Sequence, residues 1–121
     1  MQPFKIGEQQ HEAFREDAER RYVASVAEFL TKNVPEAAAD KPEVLNVFVA
    51  AMVKKAKGYG MNSQRDAAVY VTTSYLLGEN FEEYLRDARQ VLGSSLPPQD
   101  KAEWLQQATV LLFVQAERKQ K

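Results

Sequence analysis

The side chains able to do chemistry are few and scattered along the chain. His11 is the only histidine, and it stands beside Glu8 and Glu12, where a general base could in principle be tuned. A lone histidine on a charged helix face reads first as surface. Cysteine is absent, so thiolate nucleophiles and disulfides are excluded, as are the common zinc patterns and the two-histidine metalloprotease helix. Carboxylates gather at Glu12, Glu16 and Glu19 and again at Glu82, Glu83 and Asp87. Such groups serve hydrolysis or metal binding only when separate elements bring them together in a pocket. Arg15, Arg20 and Arg86 lie within helical reach of them, which points to surface ion pairs. Gly58-Tyr59-Gly60 resembles the opening of a phosphate loop only superficially, because no strand precedes it and no Lys-Ser/Thr ending follows. It reads as a turn. Ser25, Ser63, Ser74, Ser94 and Ser95 lack the small-residue elbow that exposes a nucleophile. The inventory predicts no catalytic residue, no metal and no cofactor.

The elements that carry these residues follow from composition and periodicity. A chain of 121 residues suits one domain with one core, burying roughly two-thirds of the extended chain's surface. With 45% hydrophobic and 27% charged residues it matches globular rather than disordered composition. Formal net charge is −1, so no global field favours nucleic acid, and none is expected as a partner. The absence of cysteine fits a reducing compartment. The start of the chain runs into charged residues instead of a signal-peptide stretch, and the expected location is cytoplasmic. The longest apolar run, Val110 to Val114, is far below the roughly 20 residues that span a bilayer, so no membrane span is expected.

Glycine and proline punctuate stretches with helical, not strand-like, periodicity. The reading is an all-α single compact bundle of about five helices, antiparallel-leaning, with residues 1–8 and 119–121 as flexible ends. A first helix covers about Gln9 to Asn33, with Phe14, Ala18, Tyr22, Val26, Phe29 and Leu30 on one stripe, and Asn33-Val34-Pro35 stops it. A second starts at a cap on Asp40 with Pro42 in the first turn, and ends at Gly58 and Gly60. Lys54, Lys55 and Lys57 in its last turn suit the negative end of the helix dipole. Ser63 with Asp66 caps a third helix that stops at Gly78. A fourth spans about Phe81 to Leu92, and a fifth runs from about Pro98 to Arg118 after the Gly93-to-Pro98 loop. Glu117 to Lys121 forms a short basic tail. The fifth helix is apolar around most of its circumference, which predicts a central position with Leu105, Ala108, Leu111 and Leu112 in the core. Burial of Phe113 is favoured over exposure.

Two runs carry a family likeness. Ala56-Lys57-Gly58-Tyr59-Gly60-Met61-Asn62-Ser63-Gln64-Arg65-Asp66, with Tyr70 after it, and Leu77-Gly78-Glu79-Asn80-Phe81 resemble segments of small helical accessory proteins associated with type VI secretion effector and spike gene clusters. The resemblance implies an adaptor or chaperone-like factor for a secreted effector, or alternatively an immunity protein that neutralises a cognate toxin. Neither role needs a catalytic residue, and the partner in either case is another protein: an effector, a toxin or a spike component. Large side chains at two turns, Tyr59 with Met61 and Phe81 with Tyr84, and at Val110, Phe113 and Val114 on the last helix, are the candidate partner-binding residues.

Overall fold

A computed structural model describes the backbone of residues 3–120 and the side chains of residues 15–115. Expectations placed on His11, Glu12, Phe14 and the ends of the chain lie outside the described residues. The order is α1 (Pro3–Asn33), α2 (Pro35–Ala38), α3 (Pro42–Gly58), α4 (Gln64–Leu77), a 3₁₀ turn (Phe81–Glu83), α5 (Ala88–Leu92) and α6 (Pro98–Gln120). The fold is all-α, with no strand among the described residues.

Local chemistry sets most boundaries. Val34 is extended (φ −127°, ψ 103°) and Pro35 opens α2, as the restriction on a residue before proline requires. Ser63 accepts the amide of Asp66 at 3.1 Å and so caps α4. Asp40 does not cap α3. Lys41 holds the cap position without a side-chain bond, and the Asp40 carboxylate accepts the Tyr75 hydroxyl at 2.6 Å. At the other end of α3, Gly60 takes a positive φ of 83°. Its amide donates to the Lys57 carbonyl at 2.9 Å, and that of Met61 to the Ala56 carbonyl at 2.9 Å. This is the Schellman arrangement, in which the residue after the glycine turns inward. The single helix expected over Phe81 to Leu92 is broken: Asp87 adopts a left-handed φ of 68°, a conformation that aspartate tolerates better than most residues.

The central helix is α4, not α6. It packs on α1, α3 and α6, and Asp66 to Val71, Thr73 and Ser74 are all buried. Two properties permit this. Ala67, Ala68 and Ser74 are small enough for neighbours to approach from several sides, and the hydroxyls of Thr72, Thr73 and Ser74 donate to carbonyls one turn back at 2.8, 2.9 and 3.0 Å. Polar atoms satisfied within the helix can be buried without a desolvation penalty left over.

Directions follow from the long-range bonds. Tyr22 of α1 donates to the Asn62 and Ser63 carbonyls, 3.0 Å each, at the start of α4, while Phe29 and Asn33 flank Thr72 and Leu76 at its end. Helices α1 and α4 therefore run parallel. α3 opposes α4, with Asp40 and Phe48 against Tyr75. α6 again runs with α4: Lys101 donates to the Tyr59 carbonyl at 2.9 Å, and Val110 stands beside Leu76. The return trip that makes this possible is taken by residues 78–97, through the 3₁₀ turn and α5.

Candidate interaction surface

The seven residues singled out by sequence divide into two groups. Met61 and Phe81 are wholly buried, so neither can meet a partner, and these two assignments are corrected. The Schellman turn drives Met61 inward, and the 3₁₀ turn puts Phe81 against Tyr70, with ring centroids 5.3 Å apart. Tyr59 is half-buried, its ring tilted against Tyr70 at 5.8 Å and its carbonyl held by Lys101. Tyr84 is exposed.

Beneath these turns lies a polar cluster that sequence spacing did not reveal. Glu82 is buried; one carboxylate oxygen accepts the Tyr70 hydroxyl and the other faces the Lys55 ammonium at 3.3 Å. Lys55 also donates to the Glu79 carbonyl at 2.6 Å. Burial, reinforced by the bond to Glu82, pushes the Tyr70 phenol far above its ordinary range. Burial and the same carboxylate raise Tyr59. Lys55 thus reaches across to the returning segment instead of merely facing its own helix end, while Lys57 sits 5.0 Å over the Tyr22 ring. No buried side-chain nitrogen or oxygen in the described part lacks a hydrogen-bond partner. The cluster is a clamp on residues 79–84, closed on itself.

Three of the other expected carboxylates stand in exposed ion pairs: Glu16 with Arg20 at 3.9 Å, Glu83 with Arg89 at 3.8 Å and Asp87 with Arg86 at 4.0 Å. Among the described residues no three His, Cys, Asp or Glu side chains are placed to hold a metal ion, and no helix is long and apolar enough to cross a membrane.

The second group, Val110, Phe113 and Val114, lies together on α6 and is exposed at 60, 46 and 37%. Leu111 at 61% and Leu112 at 37% join them, which corrects the expectation that both leucines and Phe113 are core. The inner stripe of α6, Ala102, Leu105 and Thr109, is buried. Beyond Val110 the helix has passed the end of α4 at Leu77, and its remaining ten residues extend about 15 Å further at 1.5 Å per residue. An apolar groove of about 420 Å³ leads into this segment, lined by Phe29, Thr72, Leu76, Gln106 and Val110. Phe29 and Leu76 are themselves exposed. Tyr59 does not belong to this surface: its carbonyl contact, Lys101, lies nine residues or about 14 Å of helix before Val110.

A further apolar groove of about 650 Å³ lies between α1 and α3, over Val23, Ala24, Val47 and Ala50, with Glu16 and Arg20 on its rim. Compared with protein-family models, curated proteins and solved structures, the chain matches none.

Proposed function

We propose that this chain is a non-catalytic, protein-binding accessory protein, an adaptor or chaperone-like factor that handles a secreted bacterial effector in the cytoplasm. The observation that carries the binding part is the distal half of α6, where five consecutive large apolar residues, Val110 to Val114, are all at least a third exposed. Contiguous apolar surface of this kind, in line with a groove, is the usual mark of a docking site. The polar groups of the interior support a non-enzymatic reading, since Lys55, Tyr70 and Glu82 are spent on one another.

The type VI secretion context rests on the resemblance of the Ala56 to Asp66 and Leu77 to Phe81 runs. Those residues build a helix end, a cap and a buried turn, so the likeness concerns the framework and leaves the docking surface to be tested. The test is purification with the products of neighbouring genes. An adaptor binds the delivery region of an effector or a spike component, and Phe113→Glu abolishes that binding without unfolding the chain. Binding and inhibition of a toxic domain would instead make it an immunity protein. Binding that survives Phe113→Glu would remove α6 from the account.

A further inference from the structure

A pocket of about 390 Å³ opens where the start of α4 meets the start of α6. Asp66 and Val69 line it from α4, and Gln99, Ala102, Glu103 and Gln106 from α6, each set at helical spacing on one face. The pocket precedes the exposed segment of α6, and its ligand is a separate matter from any partner docked there. Asp66 is its unusual member. The residue is only 8% exposed, yet among the described residues its carboxylate neither forms an ion pair nor accepts a hydrogen bond; only its amide is engaged, by Ser63. Every wholly buried side-chain oxygen in the described part has a partner, so the oxygens of Asp66 must meet open space, and the space beside them is the pocket. The helix dipole favours an acid in the first turn of α4, but an exposed acid would gain as much without the desolvation that burial imposes on an unpaired charge. The Tyr22 hydroxyl, which reaches the start of α4, is spent on the Asn62 and Ser63 carbonyls. Arg65, the exposed neighbour at the pocket, pairs with no carboxylate among the described residues.

Asp66, Asp100 and Glu103 thus set three carboxylates against the one guanidinium of Arg65 around the pocket. Lys101 does not offset them, since it is buried with its ammonium on the Tyr59 carbonyl. Glu103 gives one oxygen to Gln107 at 3.3 Å, and its second accepts no bond among the described residues. No three acids in the described part stand close enough to hold a metal ion, so the negative charge is spread around the opening instead of converging on a point. Spread charge suits a spread cation. A guanidinium carries five N–H donors in a plane, meets carboxylates and amide oxygens from several directions, and is less tightly hydrated than an ammonium. Gln99 and Gln106 can supply amide oxygens, and Val69 with Ala102 an apolar wall for the methylenes of a stem. We propose that this pocket binds a guanidinium carried on an aliphatic stem, with the Asp66 carboxylate as its anchor. The group is either an arginine side chain of another polypeptide or a free small guanidine.

Titration of the full chain with N-acetyl-argininamide, followed by amide shifts in NMR, tests this. The proposal predicts saturable shifts at Asp66 and at Asp100 to Glu103 with a Kd on the order of 1 mM. The lysine analogue should bind more weakly and the neutral citrulline analogue not at all. Asp66→Asn should weaken binding about tenfold or more with little change in melting temperature, since the charge it removes has no partner inside the chain. Arg65→Gln should tighten binding by removing the competing cation. Agmatine separates the two sources: binding much tighter than that of the blocked arginine assigns a free small guanidine, and equal or weaker binding assigns a polypeptide side chain. No saturable shift from either guanidinium compound overturns the proposal, as does equal binding of the citrulline analogue or an affinity indifferent to Asp66→Asn. Equal binding of the lysine analogue overturns the preference for a guanidinium. A large drop in melting temperature in Asp66→Asn would give the carboxylate a structural partner within the chain and overturn its role as an anchor.

Discussion

Met61 and Phe81, each at a turn, and Val110 to Val114, on the distal half of α6, are all large apolar side chains, yet the first two are wholly buried and the other five at least a third exposed. What separates them is backbone geometry. Gly60 and the 3₁₀ turn fold their apolar neighbours back onto α4, whereas α6 continues straight past the end of the helix that covers its first half. Apolarity measures the tendency to be covered; topology decides whether the cover comes from the same chain.

The contrast can be broken from its buried side first. Phe81→Ala should cost about 3–5 kcal/mol in urea unfolding, from lost burial and the cavity left against Tyr70. A loss below about 1 kcal/mol would show that the turn is loosely packed and erase the difference between the two regions.

Tyr70→Phe sharpens the comparison, because it keeps the ring packed and removes only the donor to buried Glu82. It should cost about 1–3 kcal/mol, the penalty for a buried acceptor left short of a partner. No change on unfolding would mean that Lys55 alone satisfies Glu82.

Caps give a smaller effect. Ser63→Ala should lower stability by about 0.5–2 kcal/mol, while Asp40→Ala should not behave as cap removal, since that carboxylate binds Tyr75 instead of helix amides. Equal losses, each with fraying of its own helix in amide exchange, would restore Asp40 as a cap.

The smallest effect is confined to alkaline pH. The hydrogen bond to Asp40 pushes the Tyr75 phenol up to about 12 from its ordinary 10.0. Because the raised value belongs to the folded state, the stabilisation is complete below pH 10 and is lost as pH climbs towards 12. The gap in stability between wild type and Tyr75→Phe should therefore shrink across that window. A constant gap would mean that the bond does not form in solution.

Helix existence and several ends were readable from sequence because they depend on neighbours a few residues away: Ser63 with Asp66, Pro35 after Val34, Gly60 after α3. Met61 was readable too, in the pattern of an αL glycine followed by an apolar residue, but its bulk drew the surface reading instead. The break at Asp87 was harder, since the left-handed residue there is not a glycine. Which helix is central was not readable. α4 hides its polarity through hydroxyl bonds to its own backbone, so the polar run Thr72-Thr73-Ser74 is largely buried. Glu82 escaped notice as a buried acid because Lys55 and Tyr70, its partners, lie 27 and 12 residues away.

The central claim, that distal α6 is surface and not core, is tested most directly by urea unfolding of Phe113→Ala. A change below about 1 kcal/mol is predicted, as for substitutions outside packed cores. A loss of about 3–5 kcal/mol, the signature of a core phenylalanine, would contradict it.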